Sequence, residues 1–178
     1  MLANLVGTAP NSILLHGPSK LLVNNYHWHQ PQNGIIASYT PKAEDVKDHF
    51  GIFRGVDLIE SFVQATNCSC TAFLTQLKQG DSPVSKEDFV PTFISIGNVN
   101  FHSYVAEGET FICMGKIMFY KFRQMVVDGR IYKVPSDINL NNHFQNYTSQ
   151  KLENFEIDGN FTLVAELFGI TGRAIKRK

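Results

Sequence analysis

The stretch from His49 to Gln64 reads HFGIFRGVDLIESFVQ. It carries an imidazole and a carboxyl group eleven positions apart, separated by a glycine-bearing turn and the opening of an apolar helix. Burial raises the pKa of a carboxyl group, so a glutamate one turn into a greasy helix can stay protonated and act as an acid. A base and an acid in one apolar site suit removal of a proton alpha to a carbonyl with loss of hydroxide from the next carbon. Spacing alone leaves blander alternatives open. His49 beside Asp48 also reads as a surface-loop histidine. Glu60 also reads as a solvated helix carboxylate, although Ile59, Phe62 and Val63 surround it in sequence.

The elements that must hold these groups follow from periodicity and turn signals. Val56, Ile59, Phe62, Val63, Phe73, Leu74 and Leu77 recur near helical spacing, which predicts one long helix from about Gly55 to Gln79. Its middle, Ala65 to Ala72, consists of small residues and lets a strand layer approach closely. Gly80-Asp81-Ser82-Pro83 reads as its end. Before it, residues 11–23 read as an apolar turn leading into a strand. Asn33-Gly34 is a turn signal, and Ile35 to Thr40 is strand-like. After Pro91, residues 93–99, 111–120 and 122–127 are strand-like, and Asp128-Gly129 signals a hairpin into residues 130–134. Residues 135–154 form a polar, Asn- and Gln-rich insertion or long loop. A last strand pair is expected around Asp158-Gly159, ending near Phe168. Strands, one helix, then antiparallel strands make an α+β layout, with a helix on a curved sheet, in one domain spanning residues 1–178.

Composition narrows the function classes. Formal net charge is zero, so there is no global basic field for nucleic acid. The basic tail Arg173, Lys176, Arg177 and Lys178 reads as a solvated end. No leader peptide and no apolar run of membrane-spanning length is read from the sequence, so a cytoplasmic, thiol-reduced protein is expected. Cys68, Cys70 and Cys113 are odd in number, and Cys68-x-Cys70 lacks a second pair at zinc-site spacing. No Gly-rich phosphate loop is present, and no cofactor or metal is expected. His27-Trp28-His29 would place two imidazoles on one strand face, but no third ligand stands at useful spacing, so they read as strand histidines near a rim. His16, His102 and His143 are isolated and receive no role.

The segment resembles the 3-hydroxyacyl-acyl-carrier-protein dehydratases of the hotdog fold. Their motif runs HFPGxPxMPG, then V-L-I-x-E-A-x-A-Q-A. His49-Phe50 matches its opening, and Gly55 to Ala65 follows its helical half without gaps, with Glu60 on the acid and Gln64-Ala65 on the Q-A pair. Weaker matches cover nearly the whole chain: Leu14-Leu15-His16 with Leu21 to Val23, Gly34 to Ala37, Phe93 to Phe101 with Glu107 to Glu109, and Ile157 to Glu166. The loop from His49 to Gly55 is three residues shorter than the motif and lacks its prolines, and Arg54 replaces the proline before the helical glycine. This marks a divergent member with a less rigid loop.

The resemblance implies a hydro-lyase without cofactor that forms a trans-2-enoyl thioester, in fatty acid or related secondary-metabolite biosynthesis. Neutral His49 removes the C2 proton, protonated Glu60 donates to the departing C3 hydroxyl, and the Gly55 N–H polarises the thioester carbonyl. Gln64 and Phe50 support the site. The implied partners are an acyl-carrier-protein or CoA thioester and a second copy of the chain, as a homodimer or a trimer of dimers, because His49 and Glu60 come from opposite subunits in that fold. No nucleic acid or membrane is implied. Arg54 reads as a surface charge, or as a contact for a phosphopantetheine phosphate or an acidic carrier. Competing readings are a hotdog thioesterase, with Glu60 ionised to activate water, and a non-catalytic acyl-binding subunit.

Overall fold

The computed structural model describes residues 4–79 and 89–176. A short helix α1 (Pro10–Ile13) and a 3-10 turn at Pro18–Lys20 lead to the hairpin of β1 (Asn25–Gln30) and β2 (Gly34–Tyr39). The expected long helix follows in three joined parts: α2 (Gly55–Val63), a π-helical segment (Gln64–Cys68) and α3 (Ser69–Gln79). The small residues in the middle explain the π turn. Shifting to wider hydrogen bonding frees carbonyls, and the hydroxyls of Thr66 and Ser69 donate to Phe62 O at 2.7 Å and Gln64 O at 2.6 Å. The sequence-based helix end at Gly80 to Pro83 lies outside the described residues.

Five more strands complete one antiparallel sheet: β3 (Phe89–Ser95), β4 (Asn98–Phe101), β5 (Phe111–Lys121), β6 (Gln124–Lys133) and β7 (Thr162–Lys176). Their order is β1-β2-β5-β6-β7-β3, with β4 also on β7. The sheet curves round the helix, and the apolar faces of both, including Phe62, Phe73, Ile35, Val127 and Ile170, form the main core. Helix and sheet approach so closely that a Cβ on Gly115 would collide with the Thr66 methyl, and one on Gly129 with the Phe62 ring. A long helix wrapped by a curved antiparallel sheet is the hotdog fold, as the resemblance implies.

Several sequence-based expectations are corrected. Asp128-Gly129 is not a hairpin: β6 runs straight through it, and the turn lies at Phe122-Arg123, both left-handed with φ of 51° and 62°. Gly129 is there to admit Phe62. Asp128 sits at a register shift and accepts the Gly169 N–H at 2.7 Å. No strand pair surrounds Asp158-Gly159. Gly159 lies in a bend, with φ of 100°, and a single strand, β7, follows and reaches residue 176. Arg173 therefore belongs to a strand paired with β3 and β6 rather than to a loose tail. A register shift between Tyr26 and Trp28 turns His27 and His29 to opposite sides of the sheet. His27 meets Asn141 and Phe144, whereas His29 meets Leu5 and Phe73. Both are buried.

The insertion is folded rather than a loop. It holds α4 (Leu140–Phe144) and α5 (Ser149–Glu153), capped by the side chains of Asn139 and Thr148. Phe144, Leu152 and Phe155 pack on Trp28, Ile36, Ile112, Met114 and Tyr132 to make a second core on the sheet's outer face. No helix among the described residues is long and apolar enough to cross a membrane.

Candidate active site

Glu60 sits in the second turn of α2 and lines a cleft of about 410 Å³ with His16, Lys20, Leu22, Phe53 and Arg54. Its side chain is 46% exposed in the single protomer, so the burial that was expected to keep it protonated is not supplied by this chain alone. Gln64, one turn on, is fully buried and donates from Nε2 to Glu60 Oε1 at 2.9 Å. The same amide clamps the segment before β1: its Nε2 donates to Lys20 O at 2.8 Å, and its Oε1 accepts the Leu22 N–H at 2.8 Å. Ser61 adds a bond to Leu22 O at 2.7 Å.

That clamp brings in a residue that received no role from the sequence. His16 Nε2 lies 3.6 Å from Glu60 Oε1. Burial lowers the His16 pKa, with the Glu60 charge working against it, so the ring is neutral at pH 7. Its sequence signal was only the Leu14-Leu15-His16 match. What places it is the long-range bond from Gln64 to the Lys20–Leu22 backbone.

His49 stands elsewhere, on the loop before the helix, and does not line the Glu60 cleft. Its Nδ1 is 2.9 Å from Ile52 O. A carbonyl only accepts, so Nδ1 carries a hydrogen, and in the neutral ring Nε2 is then the nitrogen with the lone pair a base requires. Phe50, beside it, is 95% exposed with φ of 58°. The shortened loop is not slack. Left-handed Asp48, Phe50 and Gly51 turn it tightly, and bonds from Phe53 N to Val105 O and from Glu107 N to Gly51 O fasten it to the chain before β5. These bonds hold the loop without any proline in it.

Gly55 is the first residue of α2, after an N-cap, Arg54, whose side chain makes no capping bond. A Cβ on Gly55 would lie 3.0 Å from Phe101 Cζ, tighter than ordinary contact, so glycine lets this ring of β4 sit close to the helix start. Arg54 makes a two-pronged bond to Asp57, at 2.6 and 2.9 Å, so this guanidinium is committed within its own turn.

Other candidates are less suited to chemistry. The larger hollow on the outer face, about 770 Å³, includes His27, but both ring nitrogens of that residue are engaged, by Asn141 and Ser38. Lys133 and Glu109 in the same hollow pair with each other. Cys68, Cys70 and Cys113 are free and buried, and burial pushes the Cys70 and Cys113 thiols up to about 12, which leaves no thiolate nucleophile near pH 7.

No model of a known protein family matches the sequence, and no curated protein matches it. Solved structures do match. The dehydratase heterocomplex ApeI:P from Xenorhabdus doucetiae aligns at 11% identity and a TM-score of 0.64, over 95% of this chain and 92% of that one. A thioesterase family protein from Silicibacter pomeroyi aligns at 14% identity and a TM-score of 0.51, over 86% of this chain and 85% of that one. At such identities the likeness concerns architecture, and the chain is a hotdog-fold protein.

Proposed function

We propose that this chain is an enzyme of acyl thioesters that dehydrates a 3-hydroxyacyl group, carried on an acyl carrier protein or CoA, to a trans-2-enoyl thioester. The observation that carries the reading is Glu60 at the cleft, held at one oxygen by buried Gln64. His49 Nε2 takes the C2 proton. The C3–O bond breaks, and the oxygen leaves as water with the proton of Glu60. The Gly55 N–H at the helix start receives the developing charge on the thioester oxygen. Each positioned acid–base group contributes roughly 10²–10⁴-fold.

His49 and the Glu60 cleft are separate within one chain, so the reading needs a second copy to bring its loop to the cleft. Support for such a copy lies on the surface. Among the described residues, β3 and β4 pair only with β7, which leaves a free sheet edge bearing exposed Phe93, Ile94, Ile96 and Phe101. Exposed Val56 and Phe50 extend the apolar ground towards the helix start and the His49 loop.

A second reading, thioester hydrolysis, is favoured by the exposure of Glu60, since an open carboxylate can hold and activate water. Both reactions are read in one experiment, incubation with short, medium and aromatic 3-hydroxyacyl and acyl thioesters. Enoyl absorbance supports dehydration, and released thiol supports hydrolysis. A folded dimer that gives neither sinks both. Glu60→Gln and His49→Ala are each expected to lower the enoyl rate by roughly 10²-fold or more.

A further inference from the structure

Two nitrogens approach one oxygen of Glu60. The orientation of Gln64 is fixed by its neighbours: Leu22 N–H must meet an oxygen and Lys20 O must meet a hydrogen. Both amide hydrogens are thus assigned, one to Lys20 O and one to Glu60 Oε1, which makes Oε1 an acceptor. His16 can be assigned in the same way. Its Nδ1 is buried and has no partner among the described residues, while Nε2 lies 3.6 Å from the same Oε1. A buried N–H without an acceptor is rarer than a buried lone pair without a donor, so Nδ1 holds the lone pair and Nε2 the hydrogen.

We propose that His16 is a positioning residue for Glu60, joining Gln64 in directing hydrogens at Oε1 so that Oε2 alone exchanges a proton with substrate or water. This rests on the reading of Glu60 as the working carboxyl group. A carboxyl group is nearly symmetric, and a half-turn about its last torsion exchanges the oxygens. One hydrogen bond opposes that half-turn weakly, and the His16 N–H dipole, 3.6 Å away and just beyond hydrogen-bond length, adds to the preference for Oε1 from a second segment. In dehydration the acid hydrogen then sits on Oε2, facing the C3 hydroxyl. When it leaves with the oxygen as water, the charge left on Glu60 is met at Oε1 by the Gln64 hydrogen bond and by the nearby His16 N–H dipole. In hydrolysis the same arrangement presents Oε2 to the attacking water. Orientation of this kind affects the chemical step more than binding.

Nitrogen NMR of the histidines in the full chain tests the geometry without any substrate. At pH 7 His16 is expected to be neutral, with hydrogen on Nε2 and none on Nδ1. The opposite tautomer, or a charged ring, would overturn the proposal. Kinetics test the role. His16→Phe fills the space without a donor and is expected to lower kcat about tenfold or more with KM little changed. His16→Gln keeps an N–H donor and is expected to restore most of that loss. Unchanged kcat in His16→Phe while Glu60→Gln is inactive overturns the proposal alone. Full activity in Glu60→Gln overturns the reading of Glu60 beneath it. Should His16→Phe fail to fold, the tautomer in the unmodified chain still decides.

Discussion

Gln64 serves stability and the site with the same atoms. Replacing it with leucine removes the partners of the buried Leu22 N–H and of Lys20 O, and frees Glu60. Gln64→Leu is therefore expected to lower unfolding free energy by about 1–3 kcal/mol in denaturant titration, as the loss of a buried polar partner does. The Glu60–Gln64 relation was legible in the sequence because residues four apart share a helix face. His16 was not legible. It reaches Glu60 through backbone groups at positions 20 and 22 that Gln64 grips from more than forty residues away, and no local pattern encodes that distance. His49 was singled out by its resemblance to a motif, and the tautomer that would present Nε2 depends on a bond to Ile52 O that only the turn of the loop creates.

At the scale of elements, the contact of the π segment with β5 decides how tightly the sheet wraps the helix. Gly115→Ala is expected to lower stability by about 1–3 kcal/mol, because its methyl would collide with that of Thr66. Adding Thr66→Ser removes the opposing methyl but keeps the hydroxyl bond to Phe62 O, so thermal denaturation of the double variant should recover part of the loss. The small-residue run foretold this close approach. The misplaced hairpin shows the limit of such signals. Asp128-Gly129 has turn chemistry, but the glycine is there for the Phe62 ring and the aspartate for Gly169 N–H. The true turn uses Phe122 and Arg123, residues whose side chains give no hint of a left-handed backbone.

For the whole molecule, two further outcomes are expected. Charging the free sheet edge with Ile94→Lys and Ile96→Lys, both exposed and away from Gly55, should shift the chain towards monomer in sedimentation and abolish turnover while leaving its circular dichroism intact. Stability should also depend on pH through His29, which burial lowers to about 4. An unfolded histidine titrates near 6.5, so between about 6.5 and 4 the unfolded chain binds the extra proton, and stability falls as pH falls across that window. The loss is on the order of 3 kcal/mol below pH 4, and His29→Gln should flatten the dependence. The buried state of His29 was not legible, because the irregularity in β1 that turns it inward leaves no mark on the sequence. The folded insertion has one more consequence. Trp28, the only tryptophan in the chain, lies beneath it, with its indole N–H donating to Tyr147 O at 2.8 Å and the Tyr147 ring edge-on at 5.6 Å. The protein thus carries an intrinsic fluorophore on the face away from the Glu60 cleft. Its emission should shift to the red when the insertion lifts from the sheet, so detachment of the cap is optically separable from events at the Glu60 cleft.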